Sequence, residues 1–268
     1  MYFSLKVKNM QFLEMLLIIG LGLCMGSFVT MASYRFSLEG NKIKYLLFKR
    51  SHCIKCKNEL GVRNLIPVFS WIFQKGKCSF CQSKISIRYP LIEIFCLLSF
   101  LLVYYSFGAI FDVKLIVMLL ITTALIIATI TDLEGYFIPD SVQIILFFLA
   151  VIYHLVAPDE HKISYYFLSF VLFVIFGLIL HYGFLFFAKK DGIGMGDVKF
   201  FAIVGLLIGA SYFAIFMFLS GVLGIVFGLV WQKITKDKIF PFAPALITSL
   251  MICLLVGKNS EIFNLLRL

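Results

Sequence analysis

The sequence predicts an all-α polytopic membrane protein of about eight transmembrane helices, with a small cytoplasmic domain between helices 1 and 2. Three observations carry that prediction. First, the 268 residues are 62% hydrophobic and 14% charged, with a mean hydropathy of +1.02; soluble domains run at about 45–50% apolar and about 25% charged. Second, the apolar residues gather in runs mostly about 17–25 long, the length a bilayer core requires of a helix. Third, a single long hydrophilic stretch, Arg35 to Tyr89, interrupts them.

Taken in order, Phe12 to Ser33 is the first spanning helix, within an N-terminal region 1–34. It resembles a signal peptide, and Leu21-Gly22-Leu23-Cys24 resembles a lipoprotein cleavage site. Leu23 is too large for such a site and the apolar run is long, so the helix reads as uncleaved. Residues 35–89 form the polar domain. Residues 90–268 hold seven more apolar runs, at about Pro90–Phe107, Val113–Thr131, Ser141–Val156, Ile163–Phe187, Val198–Ile208, Ser211–Trp231 and Pro241–Val256. The run beginning at Val198 is short. No low-complexity segment or internal repeat stands out.

Charge sets the orientation. The segment Arg35–Arg88 holds twelve Lys/Arg against two Asp/Glu, which accounts for the whole net charge of +10. Beside membrane helices this reads as a cytoplasmic loop near anionic lipid, and nucleic acid is not the expected partner. With that loop inside, the inner segments carry 18 Lys/Arg, including Lys189, Lys190, Lys199, Lys233, Lys236 and Lys238. The outer ones carry 6, namely Lys6, Lys8, Lys114, Lys162, Lys258 and Arg267. Both termini then face out. The helix ends bearing Asp132 and Asp197 both face in.

Those two aspartates are the candidate catalytic pair. Asp132 closes the apolar run Ala128-Thr129-Ile130-Thr131, and Asp197 follows Gly194-Met195-Gly196 at a helix start. An ionisable residue at membrane depth is costly and marks a functional site by default. Two close carboxylates do not both ionise easily and share one proton. One then activates a water while its partner protonates the carbonyl or leaving amine. Peptide hydrolysis needs that chemistry, with no metal or covalent intermediate. Gly194 and Gly196 leave room for close backbone approach. Asp140 reads as an N-cap after Ile138-Pro139; Glu134 and Asp140 read as solvated or as contacts for a basic substrate. Taken alone, Asp197 reads equally well as an ordinary helix-start residue.

Of seven cysteines, Cys24, Cys96 and Cys253 sit singly in apolar runs as packing residues. Cys53-Ile54-Lys55-Cys56 and Cys78-Ser79-Phe80-Cys81 form two knuckles able to present four thiolates to Zn²⁺. A cytoplasmic site disfavours disulfides. Four thiolates fill the coordination shell, so the expected zinc is structural and the domain 35–89 is zinc-binding.

These residues resemble the family of type IV prepilin leader peptidases that are also N-methyltransferases, over nearly the whole chain. The resemblance rests on Gly26-Ser27-Phe28 with Tyr34-Arg35, Arg50-Ser51-His52-Cys53, Ile66 to Trp71, Gly76-Lys77-Cys78, Ser86 to Glu93, Asp132 to Asp140, Gly194 to Lys199 and Pro241-Phe242-Ala243-Pro244. Ile54 stands where Pro is common, and Ala243 where Gly is common. The resemblance implies that Asp132 and Asp197 cut a basic leader after a Gly, at the cytoplasmic face of a bacterial inner membrane, ahead of an apolar pilin helix. It implies prepilin or pseudopilin substrates serving pili, secretion or DNA uptake. It also implies methylation of the freed amino group with S-adenosylmethionine, which it associates with the cysteine domain. No Gly-rich nucleotide fingerprint marks the S-adenosylmethionine site. Glu93 reads either as a methyl-transfer residue or as half of a buried ion pair.

Other readings are a proton- or ion-coupled transporter using the aspartates as a relay, a peptidase without methyltransferase activity, and a non-enzymatic zinc protein that recruits partners. A relay places charges near the bilayer midplane; these sit at one edge.

Overall fold

The computed structural model describes residues 2–39, 50–157, 161–189, 193–237 and 239–256. Lys42, Lys44, Lys49, Lys190, Lys238, Lys258 and Arg267 of the charge count lie outside them, as do the side chains of Lys6 and Lys8. Among the described residues the regular structure is helical, with two isolated bridges in the cysteine domain. The helices are α1 (Tyr2–Glu39), α2 (Phe69–Phe73), α3 (Arg88–Ser106), α4 (Val113–Gly135), α5 (Asp140–Val156), α6 (Ile163–Ala188), α7 (Met195–Ile208), α8 (Phe213–Thr235) and α9 (Ala243–Val256).

Each of the eight expected apolar runs is a helix. Five segments are long and apolar enough to cross a membrane: Gln11–Leu38, Arg88–Ser106, Val113–Gly135, Ile163–Phe187 and Ala210–Thr235. Asp140–Val156 and Ala243–Leu255 are shorter apolar helices. α7 has 14 residues, about 21 Å at 1.5 Å per residue, against a hydrocarbon core of about 30 Å. By length, then, five helices qualify rather than the expected eight. Large side chains such as Phe148, Leu168, Ile179, Phe218 and Leu229 stand exposed, as lipid-facing residues do.

The chain divides into two compact units, residues 1–127 and 128–268, with the division inside α4. In the first unit α1 packs along α3. A Cβ on Gly22 would stand 2.9 Å from Leu97 Cα, and one on Gly26 would stand 2.6 Å from Glu93 Cα. The sequence Gly22-Leu23-Cys24-Met25-Gly26 is therefore a small-xxx-small contact, where missing side chains let two backbones meet in the membrane. Two polar links lie along the same pair. Arg88 Nη2 donates to Ser33 Oγ at 2.9 Å, and the Tyr104 hydroxyl donates to Glu14 Oε2 at 3.0 Å.

In the second unit α7 is the central helix. α5, α6 and α9 pack against it, and α8 packs on α9. From Phe200 to Ile208 every residue of α7 is buried, and a helix apolar all round belongs inside protein. That explains its length: a helix jacketed by its own chain need not match the lipid. Buried His154 donates from Nε2 to the Leu206 carbonyl at 2.8 Å.

Candidate active site

α4 runs past its expected end at Thr131 and stops at Gly135, so Asp132 belongs to the helix's last turn rather than following it. Tyr136 is left-handed at φ 55°, and its N–H donates to the Asp132 carbonyl at 2.9 Å. That bond satisfies a carbonyl the helix end would otherwise leave bare. Ile138-Pro139 then leads into α5. The Asp132 side chain turns inward and is 6% exposed. Its Oδ2 accepts a hydrogen bond from the Ala243 N–H at 2.9 Å. Ala243 opens α9, and helix N-termini carry free N–H donors and partial positive charge.

Asp197 lies in the first turn of α7. Its own N–H and that of Val198 bond to the Gly194 carbonyl at 3.0 and 3.3 Å. Each carboxylate thus sits at the positive end of a helix, Asp132 at α9 and Asp197 at α7, where negative charge is favoured. The segment after Asp132 meets the segment before Asp197: a Cβ on Gly196 would stand 3.9 Å from Ile138, so the two predicted carboxylates belong to neighbouring segments.

The glycines of the motif meet no obstacle. A Cβ on Gly194 would stand 3.5 Å from Asp197 Oδ2, and one on Gly196 would stand 3.9 Å from Ile138. These are ordinary contacts, and Gly194 has an unexceptional φ of −65°. The chain itself does not demand glycine here.

Asp140 is not an N-cap. It is the first residue of α5, Pro139 occupies the cap position with no side-chain bond, and Asp140 Oδ1 accepts from Lys199 Nζ at 2.7 Å. Both partners are about half exposed, and such a surface pair holds the loop only weakly. Gln143 went unnoticed in the sequence. It is buried, and its Nε2 makes long contacts of 3.4 Å with the carbonyls of Ile138 and Gly196. No side-chain pattern announces such a clamp, because both acceptors are main-chain atoms.

Glu93 is buried, and its Oε2 accepts from the Val68 N–H at 2.6 Å. Among the described residues no cation pairs with it, so the expected ion pair is replaced by a backbone bond. This residue belongs to the first unit.

The four cysteines converge. The Sγ atoms of Cys53, Cys56, Cys78 and Cys81 lie within 4.8 Å of one another, and Cys53 and Cys81 are 3.9 Å apart. A tetrahedral Zn–S bond of about 2.3 Å spaces sulfurs about 3.8 Å apart, so the set fits such an ion. The two knuckles are built alike. Lys57 N–H donates to the Cys53 carbonyl and Gln82 N–H to the Cys78 carbonyl, both at 2.9 Å. Lys57 and Gln82 are both left-handed, and the bridges His52–Glu59 and Lys77–Lys84 close the two loops. The Cys56 backbone holds the Cys53 thiol down at about 6, and Ser83 lowers Cys81. Both effects favour the thiolate a metal takes, whereas Cys56, facing the other sulfurs, is pushed up to about 11.

Residues 20–107 match the model of the bacterial peptidase A24 N-terminal domain, and residues 119–229 match that of the type IV leader peptidase family. The chain is 31% identical over 249 residues to a prepilin leader peptidase/N-methyltransferase of Bacillus subtilis (strain 168), covering 89% of this chain and 92% of that one. It is 29% identical to a protein of the same description from Neisseria gonorrhoeae (85% and 86% covered). A third, from Legionella pneumophila, is 30% identical (84% and 79%). No solved structure matches.

Proposed function

Because the chain belongs to the type IV leader peptidase family, we propose that it is a bifunctional prepilin leader peptidase and N-methyltransferase, with Asp132 and Asp197 as its catalytic carboxylates. The observation that carries the assignment is the placement of the two carboxylates on adjoining segments: Asp132 is buried on the Ala243 N–H, and Ile138, in the turn that follows it, lies against Gly196, the residue before Asp197. A water between the two is deprotonated by one carboxylate as it attacks the scissile carbonyl. The other, holding the shared proton, protonates the oxygen and then the leaving amine. Ala243 N–H and the first turn of α7 fix the two side chains so that little reorganisation accompanies the charge movement.

The substrate is the basic leader and following apolar helix of a prepilin or pseudopilin, cut after Gly. All eight apolar helices cross the inner membrane, with α7 crossing inside the jacket of α5, α6 and α9. The cysteine domain 35–89 and both aspartates then face the cytoplasm, in keeping with the 18-to-6 bias of Lys and Arg. Residues 1–34 supply the first membrane helix and residues 90–268 the peptidase. Cys53, Cys56, Cys78 and Cys81 hold one structural zinc. S-adenosylmethionine is the methyl donor for the freed amino group.

The test is incubation of the reconstituted enzyme with a model prepilin, with and without S-adenosylmethionine, followed by mass measurement. Leader loss and a methyl gain are expected from the native chain. Neither Asp132→Asn nor Asp197→Asn should yield leader loss; full cleavage by either variant refutes the assignment.

A further inference from the structure

The cysteine domain carries a surface that neither the thiolates nor the carboxylates use. In α2, Phe69, Ile72 and Phe73 stand at i, i+3 and i+4 and so share one helix face. They are 52%, 55% and 82% exposed. The preceding turn, Val62–Leu65, packs on α2, and Val62 and Ile66 are exposed as well. Trp71, on another side of α2, turns inward and donates from Nε1 to the Ile85 carbonyl. The exposed set is therefore a real outer face and not a loosely built core. Arg63 and Lys75, both exposed, flank it along the chain.

The tie to α3 gives the depth of this face. α3 has 19 residues, about 28 Å, barely the length of a hydrocarbon core of about 30 Å. Its start at Arg88 therefore stands at the membrane boundary. Glu93 lies five residues further on, about 7.5 Å along the axis. Its carboxylate holds the Val68 N–H at 2.6 Å, which draws the chain around Val68 to that level. Val68 makes a sharp reversal there, at φ 62° and ψ −53°. A β-branched residue rarely takes that conformation, so the turn is fixed by its surroundings. Gly26, whose absent side chain lets α1 lie on Glu93, completes the seat.

We propose that the face of Phe69, Ile72 and Phe73, with Val62 and Ile66, is buried in the headgroup and acyl boundary of an anionic leaflet. Exposed apolar groups at the depth of a helix's second turn meet lipid rather than water. The cations around them meet the negative surface that such lipid presents. A stretch with eight Lys/Arg and a single acid between Arg50 and Arg88 matches an anionic surface and repels a basic peptide. This docking needs α1 and α3 to cross the membrane and needs nothing of the carboxylate chemistry.

The test uses the full chain in nanodiscs of phosphatidylcholine with phosphatidylglycerol. Phe73→p-benzoylphenylalanine is irradiated beside Lys84→p-benzoylphenylalanine, and adducts are identified by mass. Phospholipid adducts several-fold above the Lys84 control, enriched in phosphatidylglycerol over its mole fraction, are expected. Equal yields at the two positions overturn the proposal, and so does transfer of the adduct to an added prepilin peptide. The double variant Ile72→Asp with Phe73→Asp gives an independent readout. It should melt like the native chain in detergent but exchange amide hydrogens several-fold faster across residues 62–73 in nanodiscs. Unchanged exchange, or a fold already lost in detergent, overturns the proposal. Leader cleavage measured on the same samples reports the peptidase reading separately.

Discussion

Asp132 Oδ2 and the backbone N–H of Ala243 are 2.9 Å apart in space and 111 positions apart in the chain. This bond makes the N-terminus of α9 part of the site. Ala243→Pro deletes the donor at a position where a helix tolerates proline. A hydrogen bond to a charged group contributes about 1.5–3 kcal/mol, so single-turnover cleavage should fall by about 10- to 150-fold. Melting of the detergent-solubilised chain should hold. An unaltered rate would remove Ala243 from the site.

In the proposed mechanism the two aspartates share one task, so their losses should not add. Asp132→Asn and Asp197→Asn should each lower cleavage by at least about 1,000-fold, and the double variant should be little slower than either. A double variant slower by the product of both losses would mean that the carboxylates act separately.

Gly194 and Gly196 have room for a methyl group, and neither needs a left-handed backbone. Their glycines must therefore serve something that enters the site. Gly196→Ala, on a helix, should leave melting unchanged or slightly raised. It should also slow cleavage by about 100-fold through displacement of the substrate backbone. Native activity in Gly196→Ala would show that the motif only shapes the loop.

What could be read in the chain beforehand follows from where each signal is carried. The helices announced themselves through long apolar runs, and the cysteine knuckles through spacing. The aspartates stood out as a pair because the Lys/Arg bias puts both of their helix ends on one side. Ala243 was named only within the Pro241–Pro244 stretch of the family resemblance, with no role, and Gln143 was silent, because Ala243 acts through a main-chain donor and Gln143 through main-chain acceptors. The end of α4 was misplaced by four residues because the helix continues through polar Asp132 and Glu134, which hydropathy alone reads as its limit. Helix length was less legible: α5, α7 and α9 are as apolar as the longer helices but have only 17, 14 and 14 residues, which leaves five segments of spanning length.

Gly26 offers a stability test in the first unit. A methyl group there would stand 2.6 Å from Glu93 Cα, and backbone cannot step aside as a side chain does. Gly26→Ala should destabilise by about 1–3 kcal/mol, and Gly26→Leu should prevent α1 and α3 from pairing. Gly20, with nothing within 4 Å, is the control, and Gly20→Ala should melt like the native chain. The check is thermal unfolding of all three in one detergent. Equal melting for Gly20→Ala and Gly26→Ala would refute the close backbone contact.

The cysteine domain is small, and its two knuckles have little regular structure apart from the bonds around the sulfurs. The domain's apolar residues are largely exposed, so a core does little to close the loops, and the four convergent sulfurs are the groups placed to do it. Metal analysis of the purified chain should give one zinc per molecule. Cys53→Ser should fall well below that, because three thiolates leave an open position. Chelation should expose residues 50–88 to limited proteolysis, while Cys253→Ser, at a buried position remote in sequence, leaves zinc content unchanged. If chelated protein keeps its native protection over residues 50–88, the four sulfurs converge for some purpose other than holding the domain together.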